Sequence, residues 1–237
     1  MRTCKTVLCI LALTSMLIGC TNADMVHLSE EEISVLRQSY PAYSTEVSMG
    51  TMLETSFQDM LYLSDGLVVF EVVEQLESTS VEVSDPAIDA INEKTTKEFG
   101  TPMFPSEEEF LQYTIRVTDV LWMNEVRNPE SFKIGEEYVW KYNSSFATML
   151  PYMDKFGQSL ISPIFWGDKG SYGEGTVQSS SLYSFYLTDD AYILSTSETL
   201  NASQEEVNGV TFEHFKKVVN DSMNEYKPAS WIPPITD

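Results

Sequence analysis

The stretch "LVVFEVVEQL", residues 67–76, decides the fold class of this chain. It is rich in β-branched and aromatic residues, it is too short for a free-standing helix, and it follows the turn signal Ser64-Asp65-Gly66. It therefore predicts a largely buried β-strand. A second β-rich run, "SVEV" at 80–83, either continues this strand or begins its partner.

The stretch "YTIRVTDVLW", residues 113–122, alternates apolar and polar side chains and predicts a half-buried strand. Later stretches give three more predictions: a strand within 132–142 after a Gly-Glu turn, a strand over 160–166 that Pro163 interrupts, and a hairpin over 181–196 that turns at Asp189-Asp190. The chain is therefore expected to form five or six antiparallel strands.

Helix signals occur towards both ends of the chain. Ser29-Glu30-Glu31-Glu32 has the spacing of a capping box and predicts a short helix that ends near residue 39. Apolar residues at helical spacing predict a second helix over 46–62. A last helix is expected to begin at Thr211 and to bury Phe212, Phe215 and Val219, with Met223 as a further candidate.

Between the strands, residues 84–112 read as a helical insertion. Asp85 is a cap residue, Pro86 suits the first helical position, and Gly100 stands just past the predicted end. The stretch "SEEEF", 106–110, repeats the capping-box spacing and predicts one further helical turn.

Helices flanking an antiparallel sheet indicate an α+β domain. A strongly twisted sheet of five or six strands tends to curl, so we expect a small, partly closed β-barrel with flanking N- and C-terminal helices. The domain is expected to span 29–226, followed by an extended tail over 227–237, where three prolines prevent a helix.

The first residues read as an export signal. Arg2 and Lys5 precede an apolar run, Val7–Ile18, which is shorter than the roughly 20 residues that a transmembrane helix needs. The run ends in Leu17-Ile18-Gly19-Cys20, which closely resembles the lipobox of bacterial lipoproteins. The resemblance implies cleavage before Cys20 and a diacylglycerol on its sulfur. An ordinary signal peptide with an incidental cysteine, or an uncleaved anchor, are the alternatives.

On this interpretation residues 1–19 are a lipoprotein signal peptide and residues 20–28 are a tether. The protein would be extracytoplasmic and held to the bacterial cell membrane through the lipid on Cys20. Cys4 and Cys9 would leave with the signal peptide, so no other thiol would remain for a disulfide, a zinc site or a nucleophile.

The order of the elements gives a second resemblance, carried by "SDGLVVFEVVE", "FKIGEEYVWKY" and "GVTFEHFKKVV". Over about 46–220 it is similar to that of small OB-like barrel lipoproteins of Gram-positive bacteria. The resemblance implies an OB-like barrel. Because the function of those proteins is mostly unassigned, it implies no activity.

The charge balance restricts the partners. Thirty-six acidic residues face 14 basic ones, a formal net charge of −22. Binding nucleic acid requires Lys and Arg to displace phosphate counterions, so nucleic acid is excluded as a partner. Anionic lipid headgroups and wall polymers would be repelled as well.

Catalytic and metal motifs are absent from the sequence. The two histidines, His27 and His214, have no second ligand at metal spacing, and no Gly-x-Ser-x-Gly, Walker or dinucleotide motif occurs. We therefore predict no metal and no cofactor. The carboxylate pairs Glu136-Glu137, Asp189-Asp190 and Glu205-Glu206 leave a cell-wall sugar or peptide hydrolase as the alternative function.

The loop "WGDKGSYGEG", 166–175, is the candidate ligand contact. Trp166 and Tyr172 offer flat aromatic faces, and Asp168 and Glu174 offer carboxylates, a combination that suits a sugar or peptide ligand. A Ca²⁺ site and a plain connection with its aromatic rings in the core are the alternatives. We expect a lipid-anchored, non-enzymatic protein that binds an unknown protein or small ligand; a structural or envelope-stress role stays open.

Lipidation is testable by mass. The mature full-length product should carry a diacylglycerol on Cys20 and should sediment with membranes, whereas the Cys20→Ala product should lack the lipid mass and leave the membrane fraction. Cys9→Ala is the matched control and should change neither property, because residue 9 would be removed. An unacylated Cys20, or a product that retains residues 1–19, would contradict the lipoprotein interpretation.

Overall fold

The computed structural model describes residues 27–43, 56–82, 86–104, 107–124, 132–144, 151–166, 176–179, 183–198, 200 and 202–227. The predicted signal peptide, Cys20, residues 46–55 of the predicted second helix and the tail after residue 227 lie outside these ranges. Within them the chain is an α+β structure, so the predicted class is confirmed.

The elements, in chain order, are five helices and seven strands within the described residues. The helices are α1 (Glu30–Leu36), α2 (Phe57–Leu63), α3 (Pro86–Phe99), α4 (Ala202–Val207) and α5 (Phe212–Glu225), with a short 3₁₀ helix at Pro151–Asp154. The strands are β1 (Gly66–Glu82), β2 (Glu107–Met123), β3 (Glu137–Asn143), β4 (Ser159–Trp166), β5 (Thr176–Ser179), β6 (Phe185–Leu187) and β7 (Ile193–Ser195).

Strand β1 organises the sheet. It pairs antiparallel with β2 from Gly66↔Met123 to Glu82↔Glu107, and over residues 66–71 it also pairs antiparallel with β4. β2 continues to β3, while β4 continues to β6 and then β7, all antiparallel. β5 lies antiparallel to β4 and parallel to β3.

Both faces of β1 are buried. Val68, Phe70 and Val72 enter a first core, whereas Leu67 and Val69 enter a second core. The first core includes Tyr113, Ile115, Val117, Trp140, Leu160, Ile164, Tyr186 and Leu194. The second includes Phe57 and Leu61 of α2, Phe215 and Val219 of α5, Ile161, Phe185 and Ile193. Burial on two faces explains why residues 67–70 carry no polar alternation.

The start of β1 leaves little space for a side chain. A Cβ on Gly66 would lie 2.7 Å from Met123 Sδ and 3.0 Å from the Trp122 carbonyl oxygen, so the Met123 side chain would have to move and the backbone contact would be tight. The close approach of β2 therefore favours the glycine of the Ser-Asp-Gly signal.

One helix prediction is wrong. The capping-box spacing at 106–110 predicted a helical turn, but β2 already begins at Glu107 and pairs with β1 from Glu82↔Glu107 to Thr79↔Phe110. Phe110 is buried, so cross-strand pairing and burial outweigh the local helix signal.

The second β-rich run continues the first strand, which is the first of its two predicted alternatives. Residues 80–82 of "SVEV" belong to β1, and residue 83 lies outside the described residues.

Pro163 does not interrupt β4. It pairs with Leu67 of β1, and on the other edge of β4 it falls between Ile161, where β6 pairs, and Ile164, where β5 pairs. Since no strand among the described residues pairs with Pro163 on that edge, the missing N–H costs no ladder hydrogen bond that the structure describes.

Residues 27–43, here called the strap, cross the edge of the sheet. The Leu28 N–H donates to the Gly209 carbonyl (2.8 Å), and the Tyr43 N–H donates to the Thr196 carbonyl (2.9 Å) just after β7. The predicted capping box at Ser29 and Glu32 starts α1 inside the strap. The edge of β7 itself pairs with residues 209–210, since the Ile193 N–H donates to the Val210 carbonyl (2.9 Å) and the Gly209 N–H donates to the Ile193 carbonyl (2.6 Å). The strap therefore packs against this segment through Leu28 and against the residues after β7 through Tyr43. His27 and Leu28, assigned to the tether by sequence, belong to it.

Asn124 joins the end of β2 to the α2–β1 connection. Its Nδ2 donates to the Tyr62 carbonyl (3.1 Å) and the Ser64 carbonyl (3.2 Å), and the side chain is buried. Asn124→Ala should lower the free energy of unfolding by about 2–3 kcal/mol, because buried carbonyls lose their donors. Urea denaturation measures this, with the exposed Thr118→Ala on β2 as the control. An unchanged midpoint for Asn124→Ala would show that water replaces the amide.

Candidate binding surfaces

Of the predicted loop site, the structure describes only Trp166; Asp168, Tyr172 and Glu174 lie outside the described residues. The Trp166 ring is half-buried and packs edge-to-face on Phe132 (5.4 Å between ring centroids) and on Tyr138 (6.0 Å). Its backbone N–H donates to the buried Asp65 carboxylate at 2.5 Å. Trp166 therefore contributes to packing, and ligand binding by this loop stays a prediction.

The predicted carboxylate pairs are engaged or exposed. Glu137 accepts two hydrogen bonds from Arg116, at 2.6 and 3.1 Å, and Glu136 accepts from the Tyr138 hydroxyl. Asp189-Asp190 form the exposed turn of the predicted hairpin, and Glu205 and Glu206 are exposed on α4. Within the described part of the chain, no group of three or more His, Cys, Asp or Glu residues is placed to hold a metal.

A tyrosine pair beside the first core has a structural role. The Tyr113 hydroxyl donates to Asp154 Oδ1 (3.0 Å), and its ring stacks on Tyr142 with centroids 6.0 Å apart. Burial, followed by the nearby Tyr142 hydroxyl and the Asp154 carboxylate, raises the pKa of Tyr113 far above its ordinary value. Burial also raises the pKa of Tyr142. Both hydroxyls stay protonated at neutral pH, and the Tyr113 hydroxyl anchors the 3₁₀ helix through Asp154.

The distal parts of β1 and β2 form a projecting arm, defined here as residues 79–109. β4 pairs with β1 only up to Glu71, and β3 pairs with β2 only from Phe110 onwards, so beyond these points the two strands pair with each other alone. The arm carries α3, in which no residue is buried. It contains eight acidic and two basic residues, a formal net charge of −6.

The arm concentrates exposed apolar side chains. Seven large hydrophobic residues are exposed in the described part of the chain, and four of them lie in the arm. These four, here called the arm tip, are Ile91 (41% exposed), Phe99 (76%), Met103 (66%) and Phe104 (39%). Grouped exposed apolar side chains rimmed by polar residues are typical of interaction sites.

Polar contacts hold the arm tip in this arrangement. Asn92 of α3 accepts from the Phe104 N–H (2.8 Å) and donates to the Phe104 carbonyl (3.1 Å), and the Thr95 hydroxyl accepts from the Met103 N–H (3.1 Å). Gly100, with φ +81°, turns the chain back along the helix. The segment is thus fixed through its backbone, and the apolar side chains of Phe99, Met103 and Phe104 remain exposed.

A cleft of about 420 Å³ lies between the strap and the segment after β7. This strap cleft is lined by Arg37, Pro41, Ala42, Ser197, Glu198 and Leu200. Arg37 Nη1 donates to the carbonyls of Ser195 (2.6 Å) and Tyr40 (3.2 Å). Desolvation lowers the pKa of Arg37, though not enough to discharge a guanidinium.

Neither the arm tip nor the strap cleft was predicted from sequence. The segment "GTPMFP", 100–105, has the composition of a loop, although its two large apolar residues so close to Phe99 were a usable signal. Arg37 follows the acidic start of α1 as an isolated cation, and no local pattern indicates its contacts with residues that are far away in sequence.

The comparisons with known proteins give no identity: no protein-family model matches the chain, and no curated protein matches it. Among the described helices, none combines the length and the apolarity needed to cross a bilayer.

Trp166 provides a test of packing against ligand binding. Trp166→Ala should lower the free energy of unfolding by about 2 kcal/mol, because the ring loses its contacts with Phe132 and Tyr138. Phe156→Ala, which removes an aromatic ring that is 54% exposed, should change it by less than about 0.5 kcal/mol. Equal urea midpoints for the two variants would show that the Trp166 ring is not needed for packing, and Trp166 would again be a candidate ligand contact.

Proposed function

We propose that this protein is a lipid-anchored, extracytoplasmic binding protein whose arm tip docks a protein partner. The anchor is the proposed diacylglycerol on Cys20. The single observation that carries the binding role is the arm tip, because four of the seven exposed large hydrophobic residues in the described part of the chain lie on this one projection.

The body that carries the arm is, on this proposal, a partly closed OB-like barrel. The succession of pairings β1–β2–β3–β5–β4–β1 supports this interpretation. Its weakest link is β3 with β5, where only Val139↔Thr176 and Trp140↔Val177 pair, and this link makes the barrel only partly closed. Such a body provides a rigid base, since the arm extends the same strands that build it.

Charge selects the partner of the arm tip. A surface with net charge −6 around exposed Phe99 and Phe104 is complementary to an apolar pocket rimmed by Lys and Arg. A second copy of this chain would bring an equally acidic arm, and the two arms would repel each other. An anionic membrane would repel the arm for the same reason. The occupant proposed for the arm tip is therefore a basic protein surface.

Site-specific photo-cross-linking in intact cells tests this function. A benzoylphenylalanine photo-cross-linker in place of Phe99 or Phe104 should give a discrete protein adduct, whereas the same group in place of the exposed Phe156 should give none. The double variant Glu98→Gln/Glu107→Gln should reduce the adduct yield roughly threefold or more, because two attractive charges are lost.

Three outcomes contradict the proposal. These are equal adducts from positions 104 and 156, an adduct whose protein is acidic, and adducts to lipid alone. Asn92→Ala gives an independent check without altering an apolar side chain, since it removes both hydrogen bonds to Phe104. Its adduct yield from position 99 should fall, while its urea midpoint stays close to that of the parent because Asn92 is not buried.

A further inference from the structure

Backbone hydrogen bonds join the two walls of the strap cleft. The Tyr43 N–H donates to the Thr196 carbonyl (2.9 Å), and the Glu198 N–H donates to the Tyr43 carbonyl (3.0 Å). These bonds join the strap to the segment after β7 beside the cleft-lining residues Ala42 and Ser197. A volume of about 420 Å³ is within the usual range of small-molecule sites.

Arg37 lines this cleft without a carboxylate partner. Its guanidinium has five N–H donors, of which Nη1 uses two on backbone carbonyls and Nη2 uses one on Asn208 Oδ1 (3.4 Å). No ion pair of Arg37 exists within the described residues, although the chain has 36 acidic residues. The other described arginine, Arg116, pairs with Glu137 at 2.6 Å.

Two donors, the Nε–H and the second Nη2–H, therefore have no acceptor among the described residues. A half-buried cation without a counter-ion is unfavourable, because desolvation weakens its hydration and nothing negative compensates for it. A ligand carboxylate is the acceptor that fits the planar fork of a guanidinium, and it would supply that missing charge.

The other residues that line the cleft indicate which further groups the ligand carries. Glu198 is exposed, and its carboxylate makes no hydrogen bond or ion pair within the described part of the chain, so it is available to an ammonium group. Pro41, Ala42 and Leu200 provide apolar contact. One cleft thus holds a cation, an anion and an apolar wall.

We infer that the strap cleft binds a small zwitterion with an apolar body, of the chemical class of an aliphatic α-amino acid. Arg37 takes the carboxylate, Glu198 takes the ammonium, and the apolar wall contacts the aliphatic group. The inference is independent of the arm tip, which uses no residue of the cleft.

Ligand-observed NMR titration of the full-length chain in detergent tests this assignment with three probes. L-leucine should bind with a dissociation constant on the order of 1 mM or tighter. Leucinamide, which lacks the carboxylate, and N-acetyl-leucine, which lacks the ammonium, should each bind at least tenfold more weakly.

The variants separate ligand binding from stability. Arg37→Lys keeps the charge but loses the fork and should weaken leucine binding tenfold or more. Because Arg37 also holds the strap, Ala42→Trp is the second variant: it fills the cleft, leaves the Arg37 hydrogen bonds in place, and should abolish binding. Arg116→Gln is the matched control and should bind leucine as the parent does.

The assignment is overturned if no binding is detected at a leucine concentration about ten times the expected dissociation constant. It is also overturned if either derivative binds as tightly as leucine, or if Ala42→Trp binds normally. Loss of adducts from the arm tip would leave all these results unchanged, so the two proposals fail separately.

Discussion

Strand β1 is the constraint on which the rest of the structure depends. Over residues 66–71 it has a hydrogen-bonded neighbour on each edge and an apolar core on each face, so it is enclosed on four sides. Each fully buried side chain of this type contributes roughly 1.5–3 kcal/mol, and the strand places five of them in two separate cores. The helices α2 and α5 fold onto the sheet because the second face of β1 is apolar.

The arm follows from the same strand. β1 and β2 are both 17 residues long, whereas β3 and β4 have 7 and 8 residues, so the shorter neighbours end while the long hairpin continues. Beyond that point the composition changes from apolar to acidic, because no core remains to be filled. The apolar side chains of the arm tip therefore have no counterpart within the described residues, and their exposure has to be explained by something other than folding.

The sequence predicts well the elements whose signals are local. The capping box at Ser29, the cap at Thr211 and the alternation over 113–117 indicate elements that the structure confirms. It fails where pairing between distant residues decides the structure: the Ser-x-x-Glu spacing at 106–110 predicted a helical turn, but residues 107–110 lie in β2 because they pair with β1. Arg37 was missed for the same reason, since two of its three acceptors are 158 and 171 residues away.

The strap has a mechanical consequence for an anchored molecule. Six residues separate Cys20 from His27, which gives seven Cα–Cα steps, so a lipid on that cysteine would hold the start of the strap within about 25 Å of the bilayer surface. Any tension between membrane and domain would reach Leu28 first and load its bond to Gly209 before the contacts nearer Tyr43. Detachment would then proceed stepwise, freeing the Gly209 carbonyl first and then dismantling one wall of the cleft, while the sheet around β1 stays intact.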